Sequence, residues 1–469
     1  MNSDWPKVRL GDYCLKIGSG ATPKGGKNVY LNKGEVSLIR SQNVYNSGFS
    51  SSGIVYLDTD AATKLKNVEI QKNDILVNIT GDSVARVCMA PEEFLPARVN
   101  QHVAIIRVDP TEFNPHFVRY FLATPEQQRA LLTIASAGAT RNALTKSQIE
   151  GIEICKPNLE QQISIAEKLK SLEDKIRINA ELNQTLEQIA QAIFRSWFVD
   201  FEPVKAKIAA LESGGSEEDA VRAAIQIISG KDEDHLTLLQ KENPDQYAEL
   251  LSTAELFPSA MQDSELGEIP EGWLIDEVAS EIDILNGFAF KSGDYATSPG
   301  VFVLRTKNFN DTGIVERLTD DVFLPAEFKE THKKYLCEPY DYHLVMVGAS
   351  VGKTSIMFPS ETPALRNQNM WCFRPKSNSK IGRAFTKHML DMLVLKMRGI
   401  ASGSAREFFR KGDFQKHKVC FGTVAVQKAF DDIAFSLLTH QANNFAESGM
   451  LSDVRDSLLP KLLSGELEV

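Results

Sequence analysis

The stretch that decides the fold is residues 158–200, NLEQQISIAEKLKSLEDKIRINAELNQTLEQIAQAIFRSWFVD. Apolar side chains recur in it at alternating steps of four and three residues, starting with Ile165, Leu169 and Leu172. This is the 3.5-residue repeat of a coiled-coil helix. The same spacing returns 265 residues further on without an insertion, from Phe430 to Leu462. The sequence therefore predicts two long, matched helices.

Two matched helices in one chain most simply pair with each other, antiparallel, and act as a spacer for whatever precedes each of them. Asn179 and Asn444 fall at equivalent positions in the two apolar seams. Buried amides cost stability but fix the register, because a slipped pairing would leave them without partners. The alternative is two long surface helices on separate domains.

Length and composition indicate a soluble protein of several domains. A chain of 469 residues is too long for one core, while 43% apolar and 24% charged residues are ordinary values. No apolar run reaches the roughly 20 residues that cross a bilayer, and Met1–Pro6 lacks the layout of a secretion signal. The six cysteines form no CxxC pair and no close group with histidine, so we expect free thiols in a reducing cytoplasm and no metal site.

The net charge of −10 is concentrated in one segment. Residues 201–270 carry 5 basic and 15 acidic side chains, whereas residues 1–155 have a net charge of +2 and residues 271–420 of +3. Binding to phosphates needs only a local positive face. The acidic total therefore does not exclude DNA as a partner.

The first segment of the chain is predicted to be rich in β-strands. Strands are expected at Val36–Arg40, Asp74–Thr80, Ala85–Ala90 and His102–Val108, a helix over Pro115–Ser136, and a strand-like alternation at Ile149–Cys155. The predicted segments are a first domain (1–155), a first long helix (156–203), an acidic helical connector (204–265), a second domain (266–420) and a second long helix (421–469). The connector is interpreted either as a solvated link or as a docking surface.

Residues 266–420 repeat residues 1–155 in outline. The matching pairs are Trp273 with Trp5, Val303–Asn308 with Leu38–Asn43, Gly348–Lys353 with Gly81–Arg86, Asn367-Gln368 with Asn100-Gln101, Arg374 with Arg107, and Ser402–Arg406 with Gly138–Arg141. The residues between these pairs differ widely. Two copies of one fold with different surfaces indicate the same task performed on two targets, and the fold class predicted is α+β, with two β-rich domains of one fold separated by a pair of long antiparallel helices.

No stretch marks an active site. Gly348–Thr354 resembles a phosphate-binding P-loop, but only three residues separate its glycines where that loop needs four. Asn114–Phe117 is one residue away from the Asn-Pro-Pro-Phe signature of amino-methyltransferases, yet no glycine-rich cofactor loop accompanies it. No nucleophile elbow or zinc-protease motif is present. We predict no catalytic residue.

The first long helix ends in three bulky aromatic residues, Trp197, Phe198 and Phe201. Each contributes about 1.5–3 kcal/mol on full burial and needs a dry partner. A lone helix pair has little room for them. Either the following segment folds back over them or another protein covers them.

The layout of domain, helix, domain, helix now resembles a known family. Together with the strings Ser196–Pro203 and Leu458–Glu466, it is similar to the DNA specificity subunit of type I restriction–modification systems. The resemblance implies that each domain is a target recognition domain reading one half of a bipartite, asymmetric site in double-stranded DNA, and that the helices form a coiled coil setting the gap. One departure is the size of the connector.

The resemblance also implies partners and cofactors. Two adenine-N6 methyltransferase subunits using S-adenosylmethionine would assemble on the helices, and restriction subunits with ATP- and Mg-dependent translocation would join them. This chain itself would be non-catalytic, bind no cofactor and act in a bacterial or archaeal cytoplasm, away from membranes. Residues expected to dock partners are Trp197, Phe198, Phe201, Leu462 and Leu463.

Base reading needs donors such as Arg, Lys, Asn and Gln. The candidates in the first domain are Lys24, Lys27, Arg40, Gln42, Asn43, Asn78, Arg86, Arg98, Asn100, Gln101 and Arg141. Those in the second domain are Lys291, Arg305, Lys307, Asn308, Lys353, Arg366, Asn367, Gln368 and Arg406. Positions shared by both repeats are expected to serve the common fold or phosphates, and the others, such as Lys24 and Lys27, to discriminate bases.

Two other classes of protein remain open. A stand-alone DNA-modifying enzyme would bind S-adenosylmethionine as an isolated chain. A coiled-coil scaffold for proteins or another polymer would show no DNA sequence preference, even with a methyltransferase partner present.

Overall fold

The structure is a computed structural model that describes residues 5–137, 142–296, 300–348, 350–401 and 409–467. Its two long helices are Leu159–Phe198 and Val424–Leu463, each of 40 residues. The first residues of the two helices are 265 positions apart, and so are the last residues, as the repeat in the sequence predicts. The chain divides into two compact units, residues 1–178 with 447–469 and residues 179–446. Each unit therefore holds one β-rich domain and part of both helices.

The first unit contains two four-stranded sheets. One is antiparallel, in the order Cys14–Ser19, Val103–Val108, Ile75–Asn78, Val87–Met89. The other has the order Val55–Leu57, Val36–Ile39, Ala97–Val99, Glu69–Ile70, and its two central strands are parallel. Lys7–Arg9 pairs with Glu153–Cys155, and Val44–Tyr45 with Gly48–Phe49. All four strands predicted between residues 36 and 108 are present.

The predicted helix Pro115–Ser136 is wrong as one element. The structure has two helices, Pro115–Ala123 and Pro125–Ser136. Thr124 is extended, with ψ 144°, because a residue before proline is disfavoured in the helical region. Its Oγ1 accepts a 3.2 Å hydrogen bond from Gln127 N and caps the second helix. The remaining helices of the unit's β-rich domain are Thr59–Lys64 and Lys146–Glu150, so the strand predicted from Ile149 begins only at Glu153.

The core of the first unit lies between the antiparallel sheet and the ends of the long helices. Ile165 and Leu169 of the first helix are fully buried, and they belong to the same apolar cluster as the buried Leu462 of the second helix. Lys175 and Glu447 form an ion pair of 3.3 Å between the two helices. The apolar seam seen in the sequence thus packs both on its partner helix and on the domain.

The second unit repeats the topology of the first. Its antiparallel sheet has the order Ile282–Asn286, Met370–Pro375, Tyr342–Val345, Thr354–Ile356, and its mixed sheet the order Phe323–Leu324, Val301–Leu304, Ala364–Arg366. Leu274–Glu277 pairs with Lys418–Phe421, as the terminal strands of the first domain do. The prediction of two domains of one fold with long paired helices is confirmed.

Helices fill the remainder of the second unit. The connector contains Glu202–Glu212, Glu217–Ser229, Glu233–Glu242 and Pro244–Glu255, followed by the strand pair Met261–Gln262 and Ile269–Pro270. It has a small core of its own around Ile225 and Leu236. The second domain adds Val278–Glu281, Phe328–Thr331, Arg383–Ala401 and Lys411–Gln415. No helix in the described part of the chain is long and apolar enough to span a membrane.

The aromatic residues that end the first long helix belong to the core of the second unit. Trp197 and Phe198 are 2% and 5% exposed. The Trp197 ring lies 5.0 Å from that of Phe257, so the segment after the helix folds back over it. The Phe198 ring lies 5.6 Å from that of Trp273, and the ring of the half-buried Phe201 lies at the same distance from Trp273. These rings already have apolar partners within the chain, which favours the alternative in which the following segment covers them; their docking role stays a prediction.

Leu462 and Leu463, the other two residues expected to dock a partner, are 5% exposed. Both lie in the core of the first unit. Their docking role stays a prediction, and their burial disfavours it.

Candidate nucleic-acid interface

In the first domain, four loops meet at one edge of the two sheets. The two parallel strands of the mixed sheet, Val36–Ile39 and Ala97–Val99, end at this edge. Two strands of the antiparallel sheet, Cys14–Ser19 and Ile75–Asn78, end there as well, because their last residues pair with the beginning of Val103–Val108. The loops that follow these strands carry most of the candidate DNA-binding residues. We call this rim the first reading edge, defined by residues 20–35, 40–43, 79–86 and 100–102.

Five candidates expose polar groups at the first reading edge. Lys24, Gln42 and Gln101 are exposed, whereas Arg40 and Arg86 are half-buried. The Arg40 guanidinium lies 5.6 Å from the Tyr30 ring, and that of Arg86 lies 4.7 Å from the Tyr45 ring. Aromatic stacking of this kind orients a guanidinium without neutralising it.

The other described candidates of the first domain are buried and serve the scaffold. Asn43 is fully buried; its Oδ1 accepts from Arg40 N at 3.0 Å, and its Nδ2 donates to Ser50 O at 2.8 Å. The fully buried Asn78 donates to Ser41 O at 2.8 Å. Arg98, 6% exposed, forms an ion pair of 3.3 Å with Glu69, and Asn100 accepts from His102 N at 3.2 Å. These side chains hold the loops and have little surface to offer a base.

The second domain has an equivalent rim, the second reading edge, formed by residues 287–291, 305–308, 346–348, 350–353 and 367–369. Buried Asn308 reproduces the role of Asn43, since its Oδ1 accepts from Arg305 N at 3.1 Å. Arg366 is 1% exposed and donates to Asn286 O at 3.0 Å and Leu336 O at 2.8 Å, so it is structural. The candidates that remain exposed are Lys291, Lys307 and Gln368, and those half-buried are Arg305, Lys353 and Asn367.

The two edges differ in their electrostatics. Lys307 lies 2.5 Å from Asp320, and Lys353 lies 3.0 Å from Asp311. The hydrogen bond from Lys307 lowers the pKa of Asp320 below its usual value. Lys24 and Arg86 form no ion pair with any carboxylate in the described part of the chain. Two lysines of the second edge are therefore paired with carboxylates, whereas Lys24 and Arg86 of the first edge and Lys291 of the second are not, within the described residues.

The P-loop resemblance has a purely conformational origin. Gly348 and Gly352 have φ of +98° and +80°, and the equivalent Gly81 and Ala85 have +79° and +72°. The tight connection between two antiparallel strands requires left-handed backbone at both positions in both domains. The glycine spacing therefore follows from the shared turn, not from a bound phosphate.

A second shared feature is an ion pair with a buried aspartate at the end of each antiparallel sheet that lies opposite the reading edge. Arg107 donates to Asp74 at 2.7 and 2.8 Å, and Arg374 donates to Asp341 at 2.9 and 2.5 Å. Burial alone would raise the pKa of Asp341, but the hydrogen bonds and charge of Arg374 outweigh it and the pKa falls to about 2. Both Arg side chains thus act inside the fold.

Sequence reasoning missed the aromatic partners at both edges. Tyr45 lies five residues after the predicted strand Val36–Arg40, and only the fold brings its ring next to the Arg86 guanidinium. In the second domain His332 and Tyr335 pack 5.0 and 4.9 Å from Phe288, on the loop that carries Lys291. The adjacent exposed Lys333 and Lys334 form a Lys-Lys-Tyr string that could have signalled this surface. The candidates Arg141 and Arg406 and the side chain of Lys27 lie outside the described residues.

Duplicated β-rich domains with polar loop edges and a pair of long helices define the architecture of this chain. Residues 2–188 match the sequence model of the type I restriction modification DNA specificity domain. The sequence resemblance to type I specificity subunits is thereby confirmed.

Relatives extend the similarity over the whole chain. The chain is 28% identical over 473 residues to the HindI specificity subunit of Haemophilus influenzae, covering 99% of this chain and all of the relative. It is 22% identical over 353 residues to the MjaIX specificity subunit of Methanocaldococcus jannaschii, covering 75% and 68% of the two chains. The crystal structure of a type I S subunit from M. genitalium shares the fold, with a TM-score of 0.55 at 16% identity over 98% and 97% of the chains.

Proposed function

We propose that this chain is the non-catalytic specificity subunit of a type I restriction–modification complex, in which each domain reads one half of a bipartite, asymmetric DNA site. The observation that carries the proposal is the pair of reading edges: one scaffold, with different polar side chains displayed on it. A single fold with two different surfaces recognises two different sequences. The relatives' specificity-subunit names support the same assignment.

The exposed groups have the chemistry needed for DNA. Arg and Lys donate to guanine O6 and N7, and Asn and Gln form bidentate pairs with adenine. Three side chains of the first reading edge are suited to base contacts in the first half-site. They are Arg86, which lies over the Tyr45 ring, Gln42 and Gln101. Lys24, on a flexible glycine-rich loop, is suited to a phosphate or a base. Lys291, Asn367 and Gln368 take these roles in the second half-site.

The helix pair is proposed to set the gap between the half-sites. A helix of 40 residues spans about 60 Å at 1.5 Å per residue. The amide contacts between the two helices fix their register, so the separation of the half-sites follows from helix length. Lengthening both helices by whole turns should widen the gap without changing either half.

Catalysis is assigned to partner subunits. We propose two adenine-N6 methyltransferase subunits that bind S-adenosylmethionine, and restriction subunits that use ATP and Mg. The exposed surface of the helices and of the acidic connector is available for such partners, and the buried aromatic residues of the second unit are not.

The test is a domain exchange in the assembled methyltransferase. Residues 1–155 are replaced by the first domain of a relative, and the methylated sites of the host genome are sequenced. We expect one half of the site to change while the other half and the gap persist. A change in both halves, or in neither, would refute two-headed reading. Absence of any sequence preference would favour a scaffold, and binding of S-adenosylmethionine by the isolated chain would favour an enzyme.

A further inference from the structure

Two loops of the first domain lie directly against each other at the first reading edge. One loop begins at Gly20 and the other at Asn100. A Cβ at Gly20 would overlap the carbonyl oxygens of Val99 and Asn100, so the two backbones can approach this closely only at a glycine. The approach brings Thr22 of the first loop within hydrogen-bond distance of Gln101 in the second.

The side-chain amide of Gln101 is held at both of its ends. The hydroxyl of Thr22 donates to Gln101 Oε1, and Gln101 Nε2 lies 2.9 Å from His102 Nε2. The other ring nitrogen, His102 Nδ1, lies 2.6 Å from Thr80 Oγ1. Four side chains from three loops of the edge thus form one chain of hydrogen bonds.

The orientation of the Gln101 amide and the position of the His102 proton are linked. Because the amide nitrogen donates to His102 Nε2, that ring nitrogen carries no proton. The proton of the neutral imidazole is therefore on Nδ1, where Thr80 Oγ1 accepts it. With the proton on Nε2 instead, the ring would attract Gln101 Oε1, and the amide would turn over. The position of one proton decides which way the amide points.

The network leaves part of the Gln101 amide for a ligand. An amide oxygen accepts two hydrogen bonds and an amide nitrogen donates two, and the network uses one of each. Gln101 is exposed. The remaining acceptor and donor are the pair with which a glutamine binds adenine, whose N6 amino group donates and whose N7 accepts. A reversed amide would set donor against donor at the same base.

The second domain keeps this glutamine as Gln368 but replaces its histidine neighbour. The backbone of Met346 donates to Asn369 O at 3.1 Å, in the way that Ile79 donates to His102 O at 2.9 Å. Asn369 therefore occupies the position of His102. The imidazole that holds the amide belongs to the first domain alone.

The hydroxyl partners are replaced in the second domain as well. Val347 stands in the place of Thr80, and Ala289 in the place of Thr22. The side chain of Gln368 makes no hydrogen bond to any described residue. Both domains thus display a glutamine at the same point of the edge, and the difference between them is whether its amide is fixed.

We propose that His102, held by Thr80, is a positioning residue that fixes the amide of Gln101 in one donor–acceptor order, and that Gln101 reads an adenine of the first half-site in that order. The assignment rests on the proposed function, because it places DNA at the first reading edge. His102 acts through Gln101 and not on the base itself. The amide of Gln368 can turn over, so it discriminates less at its own position.

The experiment measures binding of the full chain, assembled with its methyltransferase subunits, to DNA duplexes that carry its methylated site. Each position of the first half-site is changed in turn to the other three base pairs, and competition followed by fluorescence anisotropy gives the relative affinities. We expect the parent to prefer adenine about 5- to 150-fold at one position, and Gln101→Ala to lose the preference at that position alone. This variant therefore identifies the position.

The matched pair Thr80→Val and Thr80→Ser tests the positioning role. Valine has the shape of threonine and is the residue of the second domain at this place, so Thr80→Val is expected to fold. It leaves His102 Nδ1 without a partner, and neither proton position is favoured. We expect the adenine preference to fall to within about 3-fold in Thr80→Val and in His102→Phe, and to persist in Thr80→Ser, which keeps the hydroxyl. Preferences in the second half-site are the internal control and should not change.

The possible results separate this proposal from the proposed function. Unchanged preferences in Gln101→Ala, or a preference for another base at the identified position, would overturn the reading of adenine. Equal preferences in Thr80→Val and Thr80→Ser, or a loss of affinity that is the same for every duplex, would show a structural role and overturn the positioning. In all these cases the parent still reads its site and the proposed function stands. A parent complex that binds every duplex alike would overturn both.

Discussion

Asn444 Nδ2 donates a 2.9 Å hydrogen bond to Asn183 Oδ1 between the two long helices in the second unit. Asn183 Nδ2 donates in turn to Gln441 O at 3.1 Å, and Asn179, 1% exposed, donates to Asn444 O at 3.4 Å. Polar residues thus interrupt the seam in both helices and meet each other. Only one register satisfies these amides.

Replacing one of these amides should lower the free energy of unfolding, and replacing both partners of a hydrogen bond should lower it less. Asn444→Leu leaves the buried side of Asn183 without its donor and is expected to lower the free energy of unfolding by about 1–3 kcal/mol. The double variant with Asn183→Leu should recover part of the loss. Urea denaturation of the single and double variants measures both. The neighbouring Asn443 is exposed, and Asn443→Leu should stay within about 0.5 kcal/mol; equal losses at 443 and 444 would contradict the register role.

A buried ion pair should anchor the first domain to the helix it packs on. Arg119, 3% exposed, donates to Glu173 at 2.6 Å, and Tyr120 donates to the same carboxylate at 2.9 Å. Arg119→Met leaves an uncompensated carboxylate and should cost about 3–5 kcal/mol in urea denaturation. The exposed pair Lys170–Asp174 on the same helix is the control, and Lys170→Met should cost less than about 1 kcal/mol. A small effect of both would show that Glu173 is well solvated.

Substitution of Trp197, at the aromatic end of the first long helix, distinguishes a role in core packing from a role in docking a partner. Trp197→Ala should lower the free energy of unfolding of the second unit by about 3–5 kcal/mol, because the ring is fully packed. Val199, two positions on and 37% exposed, is the control, with an expected change for Val199→Ala within about 0.5 kcal/mol. Loss of partner assembly in a Trp197→Ala chain of unchanged stability would restore the docking interpretation.

Acid should destabilise the second unit through a buried histidine. Burial, with the charge of Lys387, lowers the pKa of His388 from 6.5 to about 3, despite Glu187 at 4.0 Å. Below pH 6.5 the unfolded chain takes up this proton and the folded chain does not, so stability declines as the pH falls from 6.5 towards 3. His388→Phe, between Phe194 and Phe430, should flatten the decline in thermal unfolding between pH 7 and 5. Exposed His235→Phe is the control, and an unchanged slope in His388→Phe would contradict the argument.

The free charges of the first reading edge should govern one half-site. Lys24→Gln and Arg86→Gln are each expected to weaken binding of the assembled complex to its site about 5- to 150-fold, equivalent to ~1–3 kcal/mol. The control is Lys64→Gln, because exposed Lys64 is paired with Asp60 on a helix that follows the opposite end of the sheet. Fluorescence anisotropy at fixed salt measures the affinities. Equal effects at Lys24 and Lys64 would remove the first edge from the DNA interface.

Much of the architecture could be predicted because it is periodic. The seam from Ile165 onwards and its copy 265 residues later predicted both long helices, which lie within the predicted segments 156–203 and 421–469, since a helix buried on one stripe must repeat its apolar residues. Matching turn residues, such as Gly81 with Gly348, gave the duplication. The break at Thr124 was missed, although the proline after it disfavours a continuous helix.

The functional site was predicted less well. Residue type nominates donors such as Asn43, Arg98 and Arg366, but whether a donor faces a base or a backbone carbonyl depends on contacts made across the fold.

The sequence by itself determined the two long helices, the repeated domain and the family, because these depend on spacing along the chain. Only the tertiary structure decided that Trp197 and Phe198 are core and that Arg86 lies over the Tyr45 ring without an ion pair to any described residue. Those outcomes depend on which distant segments become neighbours in the sheets, and no local spacing encodes that.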